Sequence, residues 1–123
     1  MIARTWRGAT RAADAADYVA YIEATGLRDY AATEGNLGAL MLRRAVDDAT
    51  AEPLTEVLIV SFWESMAAVT RFAGPDPSRA VFYPEDDRFL VRRDLTVDHY
   101  EVVARVDAPA QAAPVPLLVG LLR

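Results

Sequence analysis

The chain lacks cysteine and lysine altogether and holds a single histidine, His99, in 123 residues. Without cysteine there are no thiolate nucleophiles, no disulfides and no Cys-ligated zinc or iron–sulfur sites. All 13 basic residues are arginine, so Schiff-base chemistry and a lysine general base are excluded. One histidine cannot supply a two-histidine iron triad or a three-histidine zinc site within one chain. No stretch approaches the ~20 apolar residues needed to span a bilayer. The opening "MIARTWRGAT" has no long apolar core behind its basic residues, so no signal peptide and a cytoplasmic location are expected.

What is present describes an ordinary globular protein. With 53% hydrophobic and 25% charged residues the length suits one domain with a real core. The net charge of -5 disfavours nucleic acid and anionic membrane surfaces, which call for a basic face. Composition shifts near the end: residues 1–106 read as the folded domain and residues 107–123 as an Ala/Pro-rich tail closing in "PLLVGLLR". That tail reads as a flexible linker or as an apolar segment docked on the body or on a partner subunit.

Pattern along the chain gives the order β-α-β-β-α-β. "MIARTWRG" reads as the first strand, and Thr10 can cap a helix in which Ala12, Ala15, Val19 and Ile22 share a face. Gly26 reads as its stop signal and "LRDYAAT" as an irregular helical turn. Asn36, beside Gly35, is a turn residue. "LGALMLRRAV" and "EVLIVSFW" are the second and third strands, with "DDATAEPLT" looping between them. Ser65 can cap a second helix that ends at Gly74-Pro75. "SRAVFYPEDDRFL" is a long, partly helical connection, in which Glu85, Asp86 and Asp87 read as a solvated turn. "LTVDHYEVVAR" is the last strand. This order predicts an α+β, ferredoxin-like fold: a four-stranded antiparallel sheet with both helices on one face.

The strands are apolar on both faces. In the third, Leu58, Val60 and Phe62 point one way and Val57, Ile59 and Trp63 the other; Leu40 and Leu42 oppose Ala39 and Met41 in the second. A sheet with one wet face alternates apolar and polar residues. Helices cover one face here, and a second copy of the sheet is the economical cover for the other. A face-to-face homodimer is expected.

In this frame "LIVSFWESMAAVTRFAG", with Trp63-Glu64-Ser65 at the strand–helix junction, resembles the antibiotic biosynthesis monooxygenase (ABM) domain family of the dimeric α/β-barrel superfamily. "MIARTWRG", "FYPEDDRFL" and "VDHYEVV" are similar to segments of its small bacterial members, and the resemblance spans roughly residues 1 to 104. It implies a dimer closing a barrel from two sheets, and a pocket in each subunit between sheet and helices. It also implies one of several activities. These are metal- and flavin-free oxidation of polycyclic phenols, haem degradation, isomerisation, or none.

Oxidation without a cofactor needs an electron-rich phenol that ionises and then gives an electron to dioxygen. The protein supplies an aromatic pocket, a group that stabilises the phenolate and a proton acceptor. No cofactor is expected on that reading, and the partners are a small aromatic or polyketide-like molecule and dioxygen. Trp63 is the first candidate for the pocket, against simple packing under the helix. Trp6 lines the cavity or the dimer seam. Tyr83 offers a hydroxyl from a lid, or anchors a loop. Arg71 neutralises an anionic substrate, or is an exposed helix residue. His99 is a general base, a hydrogen-bonded structural residue, or a haem ligand; alternation places it with Val97, Glu101 and Val103. The resemblance disfavours haem, because haem-degrading relatives carry their ligand histidine on the second helix and an asparagine in the first strand. "SMAAVTRFAGPDP" and "MIARTWRG" hold neither. The leading expectation is a cofactor-independent monooxygenase, with His99 taking the proton. A non-catalytic ligand-binding or interaction dimer competes with it, and an isomerase is third.

Overall fold

The computed structural model describes residues 1–46 and 52–108. The tail from residue 109 onward lies outside the described residues, as does most of the 47–55 loop. Among the described residues five strands and four α-helices follow one another, with a 3-10 turn (Ala12–Asp14) leading into the first helix: β1 (Ile2–Arg11), α1 (Ala15–Ala24), α2 (Gly26–Ala32), β2 (Asn36–Val46), β3 (Leu54–Trp63), α3 (Met66–Ala73), α4 (Asp86–Phe89), β4 (Leu90–Arg93) and β5 (Asp98–Glu101). All the strand pairings are antiparallel, in the order β2-β3-β1-β4, with β5 also on β1. This is the expected α+β sheet with one difference. The fourth strand position is shared by two short strands, β5 along Ile2–Thr5 and β4 along Gly8–Thr10.

β3 holds the centre because its pattern suits burial on both sides. Val57, Ile59, Ser61 and Trp63 are buried under the helices, while Leu58, Val60 and Phe62 are half-covered on the opposite face. Register then fixes the neighbours. Trp6 pairs with Ile59 and Arg4 with Ser61, so they share the helix side; Thr5 and Leu40 flank Val60 on the other. Tyr18 and Ile22 of α1 pack on Val57, Ile59, Phe89 and Leu90, and Ala68 and Val69 of α3 pack on Trp63. The second face carries Leu42, 46% exposed, and Tyr100, 58% exposed, beside the half-covered β3 residues.

Local chemistry explains the boundaries. β1 runs through Thr10, which is buried in the strand rather than capping a helix. The first helix breaks at Thr25, whose hydroxyl donates back to the Tyr21 carbonyl, and Gly26 opens α2 instead of ending the helical run. Ser65 caps α3 as expected, its Oγ accepting from the Ala68 amide at 3.2 Å. At Gly35 φ is +90°, and a Cβ there would come within 2.5 Å of the Ala68 Cβ. Only glycine lets the start of β2 approach α3 so closely.

Candidate functional site

The residues at the middle of the helix-side face enclose a cavity of about 30 Å³, room for one or two waters. Arg4, Trp6 and Ile59 form its floor on the sheet. Tyr18, Ile22 and Tyr30 form the helical wall, and the segment Ala80–Tyr83 with Asp86 forms the roof.

Arg4 is the unexpected member. It is only 3% exposed, and none of the ion pairs among the described residues includes it. Its guanidinium donates to the Pro77 carbonyl at 2.6 Å and to the Arg79 carbonyl at 3.1 Å. A third contact, at 3.1 Å, joins Nη1 to His99 Nε2. An arginine can only donate, so Nε2 presents its lone pair and the histidine proton sits on Nδ1. Burial, opposed by neighbouring Tyr30, lowers the Arg4 pKa from its usual value. The alternation of Ile2, Arg4 and Trp6 in β1 already set this arginine between two apolar side chains on one face, the signal that could have singled it out.

Tyr30, from α2, meets the same corner. Desolvation raises its pKa, and Arg4 and a hydrogen bond with Ser61 oppose the shift. Its ring stacks at a tilt on Phe72, 4.6 Å between centroids, and stands edge-on to Trp63 at 5.8 Å. Nothing in the local pattern marks Tyr30, because "LRDYAAT" is too short and irregular for its periodicity to show which side is buried.

The expected site residues are distributed unevenly around this space. Trp6 lines it, its indole N–H donating to the Asp94 carbonyl at 2.8 Å and its ring lying over Gly8, where a Cβ would meet it at 2.5 Å. Trp63 is fully buried behind Tyr30 and Phe72, with Nε1 donating to Ser61 Oγ at 2.9 Å. His99 is on the helix side, paired in register with Arg4. Its pKa is lowered, by desolvation first and by Arg4 second. Arg71 is exposed; it donates to the Glu34 carbonyl and borders an outer groove with Asp29 and Thr33. That groove and the inner cavity share Phe72, Val81 and Tyr83 as their dividing wall.

Tyr83 holds the roof shut. Its hydroxyl donates to Asp29 Oδ2 on α2 at 2.6 Å, its ring rests 3.6 Å from where a Gly26 Cβ would sit, and the next turn is tied down by the Glu85 amide donating to Tyr21 Oη. Tyr83→Phe removes the latch while keeping the ring. The variant should keep its melting temperature within the shift set by about 1 kcal/mol, yet be cut faster by protease within residues 76–85. Unchanged cleavage would show that the hydroxyl does not hold the roof.

Asp86 departs most from expectation. Read as part of a solvated turn, it is 3% exposed and faces the cavity. Its Oδ2 accepts from the Tyr83 amide at 2.6 Å, and Oδ1 has no hydrogen-bond partner among the described residues. Acidic residues are rarely buried unless paired, which is why "EDD" reads as surface. The Tyr83-to-Asp86 spacing, that of a capping box, was the available hint. Glu85 and Asp87 are exposed as expected.

Among the described residues no group of three or more His, Asp or Glu side chains is placed to hold a metal ion, and no helix is long and apolar enough to cross a membrane. No family model and no curated protein matches the chain. A solved structure from Bacillus cereus, named as a candidate antibiotic biosynthesis monooxygenase, is similar over 89% of this chain and 97% of its own, with a TM-score of 0.61 and 18% identity. The chain therefore has the ferredoxin-like fold seen in that antibiotic biosynthesis monooxygenase structure.

Proposed function

We propose that the protein is a homodimeric, cofactor-independent monooxygenase acting on an ionisable aromatic or polyketide-like molecule bound between sheet and helices. The observation that carries this reading is Arg4, a buried cation without a carboxylate partner among the described residues, held against an aromatic-walled space. Burying an unpaired charge is costly unless something meets it, and an anionic ligand oxygen would do so. A phenolate stabilised there is the species that can pass an electron to dioxygen. The name of the Bacillus cereus structure agrees with the reaction class.

In this reading Trp6, Tyr30 and Phe72 bracket the ring, and Trp63 backs Tyr30 and Phe72 from within the core. His99 orients Arg4 through Nε2; to act as the base it would first have to be released by the guanidinium. The cavity as it stands admits no aromatic ring, so the Ala80–Tyr83 roof lifts to let one in, the groove bordered by Arg71 being the approach.

Oxygen uptake with an anthrone, an electron-rich tricyclic ketone that ionises to a phenolate-like anion, tests the proposal. Arg4→Met should lower kcat/KM by about 10²–10³-fold while the far-ultraviolet spectrum stays native. Turnover unaffected by Arg4→Met, or absent from the wild type, would sink the monooxygenase reading. A second reading, a non-catalytic interaction dimer whose cavity is only residual core, is favoured by the small size of the cavity. It predicts neither ring binding by fluorescence nor oxygen uptake.

A further inference from the structure

Arg4 answers for the charge left on a ligand but not for the proton that must leave it. His99 has committed its lone pair to Arg4, and Tyr18, Tyr30 and Tyr83 all have pKa values raised by desolvation, which keeps them neutral and poor as bases. One group on the cavity wall has an unused acceptor. Asp86 lines the cavity, and its Oδ1 is buried and unpartnered among the described residues, while Oδ2 is fixed by the Tyr83 amide. The carboxylate is thus fixed through one oxygen and left without a partner at the other.

We propose that Asp86 is the acid–base residue of this cavity, its free Oδ1 taking the proton from a bound phenol, or from a carbon beside a carbonyl, while Arg4 meets the charge left on the ligand oxygen. The bond broken is the ligand O–H or C–H and the bond formed is O–H on Oδ1. The electron pair stays on the ligand, delocalised onto the oxygen beside Arg4, and no oxidant enters the step. This rests on the reading of the cavity as the substrate site.

The surroundings suit the role. Desolvation raises the Asp86 pKa from its ordinary value and the exposed Asp87 adds to the rise, while the Tyr83 amide and Arg93 oppose it. Tyr18 is the facing titratable group on α1. A base whose pKa is moved toward neutrality accepts a proton more effectively at neutral pH. The sign for stability follows as well. A carboxylate with a raised folded-state pKa favours folding most below its unfolded pKa and opposes it as pH rises through the folded one.

The test is proton exchange without oxygen. 2-Tetralone, an aromatic ketone with an acidic methylene, is incubated anaerobically in heavy water with the full chain, and deuterium uptake is followed by mass spectrometry. Binding is followed separately by the fluorescence of Trp6 at the cavity. The wild type should accelerate exchange, and Asp86→Asn should slow it about 10²–10⁴-fold. Asparagine keeps an acceptor for the Tyr83 amide and removes the buried charge, so this variant should melt at the same or a higher temperature. A purely structural carboxylate would not combine lost exchange with retained stability.

Exchange as fast in Asp86→Asn as in the wild type overturns the proposal and leaves the cavity reading in place. Binding without acceleration in the wild type does the same, and absence of binding overturns both. Should the variant fail to fold, the wild-type pH profile decides. Exchange must be lost on acidification with a midpoint above that of an ordinary aspartate, and a profile that stays flat on acidification overturns the assignment.

Discussion

Trp63→Ala is expected to destabilise the protein by about 3–5 kcal/mol, read as a fall of roughly 2 M in the urea midpoint. The indole is completely buried at the end of β3, with Ala68 and Val69 of α3 above it and Tyr30 and Phe72 beside it. Truncation removes two aromatic contacts, at 5.8 Å to Tyr30 and 5.7 Å to Phe72, and strips Ser61 Oγ of its indole donor. Collapse cannot fill the space readily, because α3 is held by the Ser65 cap and by the close approach at Gly35. A loss below about 1 kcal/mol would show that the corner is looser than its geometry. Any change in turnover must be judged against this stability effect, since Tyr30 and Phe72 lean on the same ring.

The second large effect concerns the sheet's other face. Val60→Glu should convert the proposed dimer into a monomer, with the mass by light scattering halved at micromolar concentration. Val60 lies mid-strand with Leu40 and Thr5 as its register partners, and Leu58 and Phe62 flank it on the same side. In a face-to-face dimer a carboxylate there is taken out of water without a partner, which costs several kcal/mol in each subunit. The monomer fold should survive, since Val60 points away from the core under α1 and α3. A wild type that is already monomeric would refute the face-to-face dimer itself.

Much of the frame could be read in the chain. The two-sided alternation of β3, the Ser65 cap and the turn at Gly35–Asn36 are local signals, and each acts locally in the fold. The divided fourth strand could not be read so easily. Leu90–Arg93 has only two apolar residues and gains its strand character from the edge of β1, a partner some eighty residues away in sequence. The site was half legible. Trp6 and Tyr83 do line the cavity, but Arg4 and Asp86 went unrecognised because charged residues are assigned to the surface by default. Their burial depends on neighbours far along the chain, the carbonyls of Pro77 and Arg79 for Arg4 and Tyr18 and Ile22 of α1 across the cavity for Asp86.

The gap between β4 and β5 has a consequence for how the molecule comes apart. Residues Leu95–Val97 leave the edge of β1 there, and the cavity roof hangs from them: the Ala80 amide donates to the Leu95 carbonyl and the Val97 amide to the Ser78 carbonyl. The roof is therefore fastened to an interruption in the sheet rather than to an unbroken ladder. The long β1–β3 and β2–β3 ladders should open as one cooperative unit, and the roof segment with the edge strands β4 and β5 as a second at lower free energy. Amides of the roof segment should give up their protons to solvent deuterium well ahead of those in β3, so that the interior is reached by a partial unfolding that never disturbs the centre.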